Sequence, residues 1–260
     1  MPVPFDLVKI YDHLDGHISC QAFDASNHSS YVAWLSDDVA ARVFDKPTID
    51  AFESDIAALS AEGFDVSALV EIHSEPYSTT SADIGEGIAD LFLAERHNSV
   101  LPSNRRRDLK NPNASQAGAD IAGYVLQADG TYCFLFGEVK TSSEKKSPPS
   151  VMTHIHSGMA VQLQRVSDSR GYQRTLMFYL RERSQDAANR PLYQSALENL
   201  AAGKFQLVGV LLRDTKPDVL DVRAPMAKMR AQLPTQQLCH LYVLHTCLPT
   251  SDWLQHCQVA

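Results

Sequence analysis

The stretch whose reading decides the fold is Thr131-Tyr132-Cys133-Phe134-Leu135-Phe136-Gly137-Glu138-Val139-Lys140-Thr141-Ser142. Side chains alternate faces along a strand. Tyr132, Phe134, Phe136, Glu138 and Lys140 therefore share one face, and Cys133, Leu135, Gly137, Val139 and Thr141 the other. Both faces are apolar over most of the length, so the strand is read as central, covered on both sides. Glu138 and Lys140 stand at its end, on a face that buries phenylalanines a few residues earlier. Charges near an interior need a partner or a metal. The plainer alternative is a Glu–Lys pair with a structural role at a strand mouth.

Immediately upstream, Ala119–Leu126 reads as a second strand, joined to the first around Asp129-Gly130, a hairpin signal. It opens on Gly118-Ala119-Asp120-Ile121-Ala122-Gly123, a single carboxylate among small residues. Hairpin pairing brings Asp120 close to Glu138. Two converging carboxylates repel, which favours capture of a hard divalent cation. Before these strands, Thr79, Thr80 or Ser81 caps a helix running to about His97, with Ile84, Ile88, Leu91 and Phe92 as its apolar stripe. Glu86 lies off that stripe between Gly85 and Gly87, which leave space around it. It is either a third carboxylate of the site or a solvated helix residue.

Further out, residues 5–25 read as β structure. Residues 30–62 read as helical, divided at Pro47 and stopped at Gly63, and residues 64–73 as a strand. Lys145-Lys146-Ser147-Pro148-Pro149 breaks the chain before a helix over Val151–Val166. A helix over Pro191–Ala202 and strands over Phe205–Leu212 and Leu238–Leu248 complete the pattern. The type of Leu176–Leu180 stays open. The order implies an α/β protein with a mixed central sheet flanked by helices. We expect a core over residues 76–260 and an acidic α+β portion over residues 1–75.

The 260 residues are 44% hydrophobic and 21% charged, enough apolar material for a full core, which excludes a wholly disordered chain. No apolar run approaches the ~18 residues of a membrane span. The N-terminal residues lack the basic flank and long apolar stretch of a secretory signal. Five scattered cysteines with no C-x-x-C read as reduced thiols, hence a cytoplasmic protein. Net charge is −8, but it is split: residues 1–100 carry 4 basic and 18 acidic side chains, residues 101–260 carry 19 and 13. An acidic module beside one that tolerates polyanions fits this split, as does acidic surface that merely keeps the chain in solution. Arg105-Arg106-Arg107 with Lys110, and Lys145-Lys146, flank the two motif strands. They are either contacts to a phosphate backbone or ordinary solvated charge runs.

A helix glutamate, then Asp120, then Glu138-Val139-Lys140 after a hairpin resembles the PD-(D/E)XK nuclease superfamily over roughly residues 80–180. The proline that precedes the superfamily's aspartate is replaced by Ala119. Gly-Glu86-Gly-Ile-Ala-Asp-Leu, Gly-Ala-Asp120-Ile-Ala-Gly and Phe-Gly-Glu138-Val-Lys140-Thr-Ser further resemble the HamA family, nuclease subunits of the bacterial Hachiman antiphage system. The resemblance implies a restriction-endonuclease-like core and a DNA-degrading effector regulated by a partner helicase of the HamB type. It implies Asp120, Glu138, Lys140 and Glu86 as catalytic residues. It further implies Mg²⁺ or Mn²⁺ held by Asp120, Glu138, the Val139 carbonyl and Glu86. Lys140 would orient the attacking water and stabilise charge at the phosphorus. Two other readings stand beside it: a non-catalytic DNA-binding or scaffold subunit, and a stand-alone restriction or repair endonuclease. The N-terminal acids are expected to mimic DNA charge, meeting a basic partner surface or guarding the groove.

Other constellations carry less. His154-Ile155-His156 has no third ligand at a metal spacing, and it is expected to open a helix. The Cys and His residues between Cys239 and Cys257 match no zinc pattern. Gln162 and Gln164 fall on the helix after the motif, where some superfamily relatives place a glutamine near the site. No Walker A loop, G-x-S-x-G or G-x-G-x-x-G occurs, so any ATP chemistry belongs to a partner.

Overall fold

The computed structural model describes residues 7–25, 28–75, 78–108 and 118–257. Seven strands form one sheet in the order β1-β2-β7-β6-β5-β4-β3. They are β1 (Val8–Asp15), β2 (Ile18–Ala25), β3 (Ser99–Val100), β4 (Ile121–Leu126), β5 (Tyr132–Ser142), β6 (Gln206–Arg213) and β7 (Leu238–Thr246). The four inner strands β2, β7, β6 and β5 run parallel, while β1, β4 and β3 add antiparallel edges. A mixed sheet flanked by helices is what the strand and helix order implies.

The two faces of β5 explain why its sequence is apolar throughout. Cys133, Leu135 and Val139 join a core with Ile84, Ile88 and Phe92 on one side of the sheet, and Phe134 and Phe136 join a second core on the other. The first side is covered by α1 (His28–Trp34), α2 (Ala40–Val43), α5 (Ser81–Arg96) and α12 (Trp253–His256), with Trp34 and Trp253 fully enclosed. A π-helical turn, Leu35–Val39, links α1 to α2. The second side is covered by α7 (Ser150–Thr153), α8 (Met159–Asp168), α9 (Arg170–Arg183), α10 (Arg190–Ala201) and α11 (Leu220–Gln232). Two helices stand apart from both cores: α3 (Lys46–Ala61) buries only Ile56 and α4 (Ser67–Ser74) buries no residue. The short α6 (Arg105–Asp108) precedes the site.

Four features depart from the sequence pattern. Residues 64–73 do not form a strand: their second half is helix α4. The Asp65 carboxylate accepts from the Ser67 backbone N–H at 3.0 Å and its hydroxyl at 2.7 Å, starting a helical turn in a run whose alternation alone favoured β. The single helix expected over 151–166 is two helices, α7 and α8, separated by an irregular turn that holds His154 and His156. Those histidines are exposed there and open no helix. Helix α11 falls outside the sequence expectation: its buried Val222, Met226 and Met229 keep a helical spacing, but Pro225 inside it argues against a helix. The sheet also runs across the boundary expected at residue 75, since β1 and β2 extend it beside β7.

Candidate active site

Residues that reach the site come from four elements. The N-cap of α5 is Thr80: its hydroxyl accepts from the Asp83 N–H while the Asp83 carboxylate accepts from the Thr80 N–H at 2.6 Å. This fixes the start of a helix that brings Glu86 and Asp90, four residues apart and so on one face, toward the β4–β5 hairpin. The register pairs Ile121 with Gly137, and continuing it by one residue sets Asp120 opposite Glu138. The Val139 N–H donates to Asp120 Oδ2 at 2.9 Å, which locks the aspartate across the hairpin.

Glu138 is 3% exposed, and Lys140 Nζ lies 2.6 Å from its Oε1. Burial first, and then the neighbouring Asp120 carboxylate, push Glu138 up to about 8; Lys140 pulls in the opposite direction. Burial and the facing Asp120 thus outweigh Lys140 and favour the protonated form of Glu138. Asp90 is likewise raised by burial, opposed by Arg42, with Asp120 adding to the rise.

A cavity of about 30 Å³, room for about two water molecules, is lined by Glu86, Asp90, Asp120, Arg42, Asn104 and Arg106, among others. Arg42 donates to Asp90 Oδ2 through Nε at 2.8 Å and Nη2 at 2.5 Å, and to the carbonyls of Leu101 and Ser103. Asp90 and Arg42 escaped the sequence reading. The four-residue spacing from Glu86 was a usable signal for Asp90; nothing local announces Arg42, which arrives from a distant helix. Gly85 and Gly87 serve packing rather than space around Glu86. A Cβ on Gly85 would stand 2.7 Å from Thr141 Oγ1, and one on Gly87 2.6 Å from Val43 Cγ2, so α5 lies closer to its neighbours than any larger residue permits.

The structure brings Asp120, Glu138 and Lys140 together and puts Glu86 on a cavity shared with Asp120. Among the described residues, no three carboxylate, imidazole or thiol groups stand close enough to hold a metal ion jointly. As a test of fit, the facing pair Asp120 and Glu138 supplies hard oxygen donors and an electrostatic excess that a divalent cation would relieve; a third ligand is not gathered beside them. The basic residues divide. Lys110 and the Arg105 side chain lie outside what is described. Arg106 stacks over Phe44 at 5.8 Å and donates to its carbonyl, and Arg107 pairs with Asp45 at 3.5 Å. Lys145 is exposed, while Lys146 pairs with Glu144 at 3.3 Å. Gln162 and Gln164 are half-buried on α8, and Gln162 Oε1 is buried with no hydrogen-bond partner among the described residues.

A central sheet sandwiched by helices, with two facing acids and a lysine at the end of its second motif strand, defines a nuclease-like α/β core. The chain belongs to the HamA family, whose model matches residues 5–204. It is accordingly a component of the Hachiman type of antiphage defence. No curated protein matches it. The matched span includes every candidate site residue and ends before β6. Among the described residues no helix is long and apolar enough to cross a membrane.

Proposed function

We propose that this protein is a metal-dependent, sequence-nonspecific DNA nuclease, acting in the cytoplasm as a defence effector under the control of a HamB-like helicase. The observation that carries the reading is Asp120 facing Glu138, with Lys140 clasped to Glu138. Asp120, Glu138 and the Val139 carbonyl would hold Mg²⁺ or Mn²⁺, with Glu86 extending the set. The ion supplies Lewis acidity toward the scissile phosphate and a more acidic bound water. Lys140 donates hydrogen bonds toward the charge that develops at phosphorus. Arg106, on the cavity beside Asp120, and the exposed Lys145 are placed in the same reading on the phosphate backbone, with Arg105, Arg107, Lys110 and Lys146 as further contacts. Five free cysteines support the reducing compartment.

The partner surface is assigned to the acidic portion over residues 1–75. The turn between α3 and α4 exposes Phe64 at 61%, and α4 exposes Val70 and Ile72 at 50% and 66%. Between Lys46 and Glu75 there are seven acidic residues and one lysine. Apolar anchors ringed by acids suit a partner with a basic, partly apolar face.

One observation favours a non-catalytic DNA-binding subunit instead: the absence, among the described residues, of a gathered three-ligand set. Plasmid degradation in Mg²⁺ separates the readings, using wild type, Lys140→Ala and Glu138→Gln, each alone and with the helicase and ATP. The expected result is cleavage by wild type and a loss on the order of 10²–10³-fold in either variant. A folded wild type that binds DNA and cleaves in no mixture would transfer the assignment to the non-catalytic subunit.

A further inference from the structure

Asp120 borders a second, different space. Across from the Glu86 side lies a cavity of about 260 Å³ between α9 and the start of β4. Its α9 wall is Tyr172, Thr175, Leu176 and Tyr179, spaced three, one and three residues apart and so on one helical face. Its opposite wall is Gly118, Ala119 and Ala122, with Asp120 among them. The small residues around the aspartate therefore have a consequence beyond β4: they leave this space unfilled. It is smaller than the roughly 300–1,000 Å³ of a drug-sized ligand's pocket, and sufficient for one heterocycle.

The aromatic wall is held in place. Tyr179 donates its hydroxyl to Asp108, Asp108 pairs with Arg183, and the Arg183 guanidinium lies over the Tyr179 ring at 5.6 Å. Burial above all raises the Tyr172 hydroxyl, with the Glu138 and Asp120 carboxylates adding to the rise and Arg165 opposing it.

Resting on the nuclease reading, we infer that this cavity receives an unpaired base of the substrate strand, stacked by Tyr172 and Tyr179, next to the Asp120–Glu138 pair that would face its phosphate through a bound divalent cation. A base inside a duplex cannot enter without leaving its stack, which costs a few kcal/mol and least where the strand is already single. Aromatic stacking is indifferent to base identity because every base has a π-face. The pocket thus selects single-stranded or frayed DNA without selecting sequence. That property suits a nuclease coupled to a helicase, whose product is separated strands.

The test uses the full chain carrying Lys140→Ala with Mg²⁺ present, so that a strand binds with its phosphate charge neutralised and is cleaved little. Single-stranded oligonucleotides carry 2-aminopurine at successive positions, and fluorescence reports stacking. The variants are Tyr172→Leu, which removes one ring, and Thr175→Trp, which fills the cavity from its exposed rim; thermal melting verifies that each folds. With the cavity intact, binding quenches 2-aminopurine at every position to a similar degree, because the strand binds in all registers, and the quenching is lost in both cavity variants. With Lys140 intact, and with Mg²⁺ and the helicase, Thr175→Trp lowers cleavage of single strands by about tenfold or more, consistent with the loss of one stacked base. A bound strand with no quenching at any position, or quenching unchanged in both variants, overturns the pocket and leaves the nuclease reading intact. Failure of any strand to bind also overturns it, and the Lys140→Ala plasmid assay then decides the nuclease reading separately.

Discussion

Glu138 sits in an electrostatic conflict. It is buried, faces Asp120 and has Lys140 as its cation. Breaking a buried ion pair by removing one partner ordinarily costs about 3–5 kcal/mol. Here the orphaned carboxyl has an escape, because burial and Asp120 already favour its protonated form and it can neutralise by holding a proton. Lys140→Met is therefore expected to destabilise by only about 1–2 kcal/mol near neutral pH in urea unfolding, while eliminating cleavage. A loss near 5 kcal/mol would mean the lysine is chiefly structural. Arg42 differs: burial raises Asp90 as well, but the guanidinium also serves two backbone carbonyls, which cannot neutralise themselves by taking a proton. It satisfies Asp90 and two backbone carbonyls at once, and no single neighbour replaces it. Arg42→Met leaves a largely buried carboxylate and two carbonyls without their donor. The expected cost is about 2–4 kcal/mol, the lower part of the range reflecting partial solvent access. Cleavage should fall with it, since Asp90 and Asp120 share a cavity. An unchanged urea midpoint would refute this account of the Arg42–Asp90 pair.

At the scale of elements, α5 is the piece that sets the site, and its two glycines set α5. Gly85→Val must push the helix off Thr141 and Leu212, and overpacking of this kind costs about 1–3 kcal/mol. Activity should fall more than stability, because the helix carries Glu86 and Asp90; parallel losses in both would reduce the glycine to a fold requirement. The far end of α5 makes a separate, pH-dependent contact. His97 caps the helix, its Nδ1 is 2.9 Å from the Tyr242 hydroxyl, and its ring lies 5.0 Å from His240, which in turn meets Ser19 at 2.7 Å. Burial first, then His240, push His97 down to about 4, with Gln206 opposing; burial lowers His240 as well. The folded state therefore binds fewer protons than the unfolded chain below about 6.5. Stability present above that pH is lost as the pH falls toward 4, and His97→Phe should flatten the melting temperature over that window. The same elements show what was readable beforehand. The motif strands, the hairpin at Asp129-Gly130 and the α5 cap are local, and alternation with turn chemistry sufficed to find them. Asp120, Glu138 and Lys140 were legible because one hairpin joins them. Arg42, Tyr172 and His240 meet their partners only through the folded sheet, and α4 yielded to a single Asp65 hydrogen-bonding pattern that alternation does not encode.

The whole molecule is asymmetric about its sheet. Both faces are covered and the candidate site lies at one end of β5, but α3 and α4 project from this packed body with little of their surface buried. An isolated protein gains nothing from leaving Phe64, Val70 and Ile72 exposed on an acidic helical pair, and such patches mark contact surfaces. A Phe64→Glu, Ile72→Glu double variant tests this. Neither side chain belongs to a core, so each change should alter unfolding free energy by about 0.5 kcal/mol or less. If the pair docks the helicase, the complex should weaken by 10-fold or more, since about 2 kcal/mol is typical for a single buried apolar anchor in an interface. The effect should appear mainly in the dissociation rate. Reversing acids of the same helices, as in Glu53→Lys with Glu71→Lys, should instead slow association and weaken the salt dependence, because rim charges steer encounter more than they hold the complex. Equal affinity in the apolar double variant, with the fold intact, would move the docking surface elsewhere and leave the acids of residues 1–75 as a guard on the nuclease groove. Basal cleavage by the acid-reversed variant, raised above wild type without the helicase, would be the sign of that role.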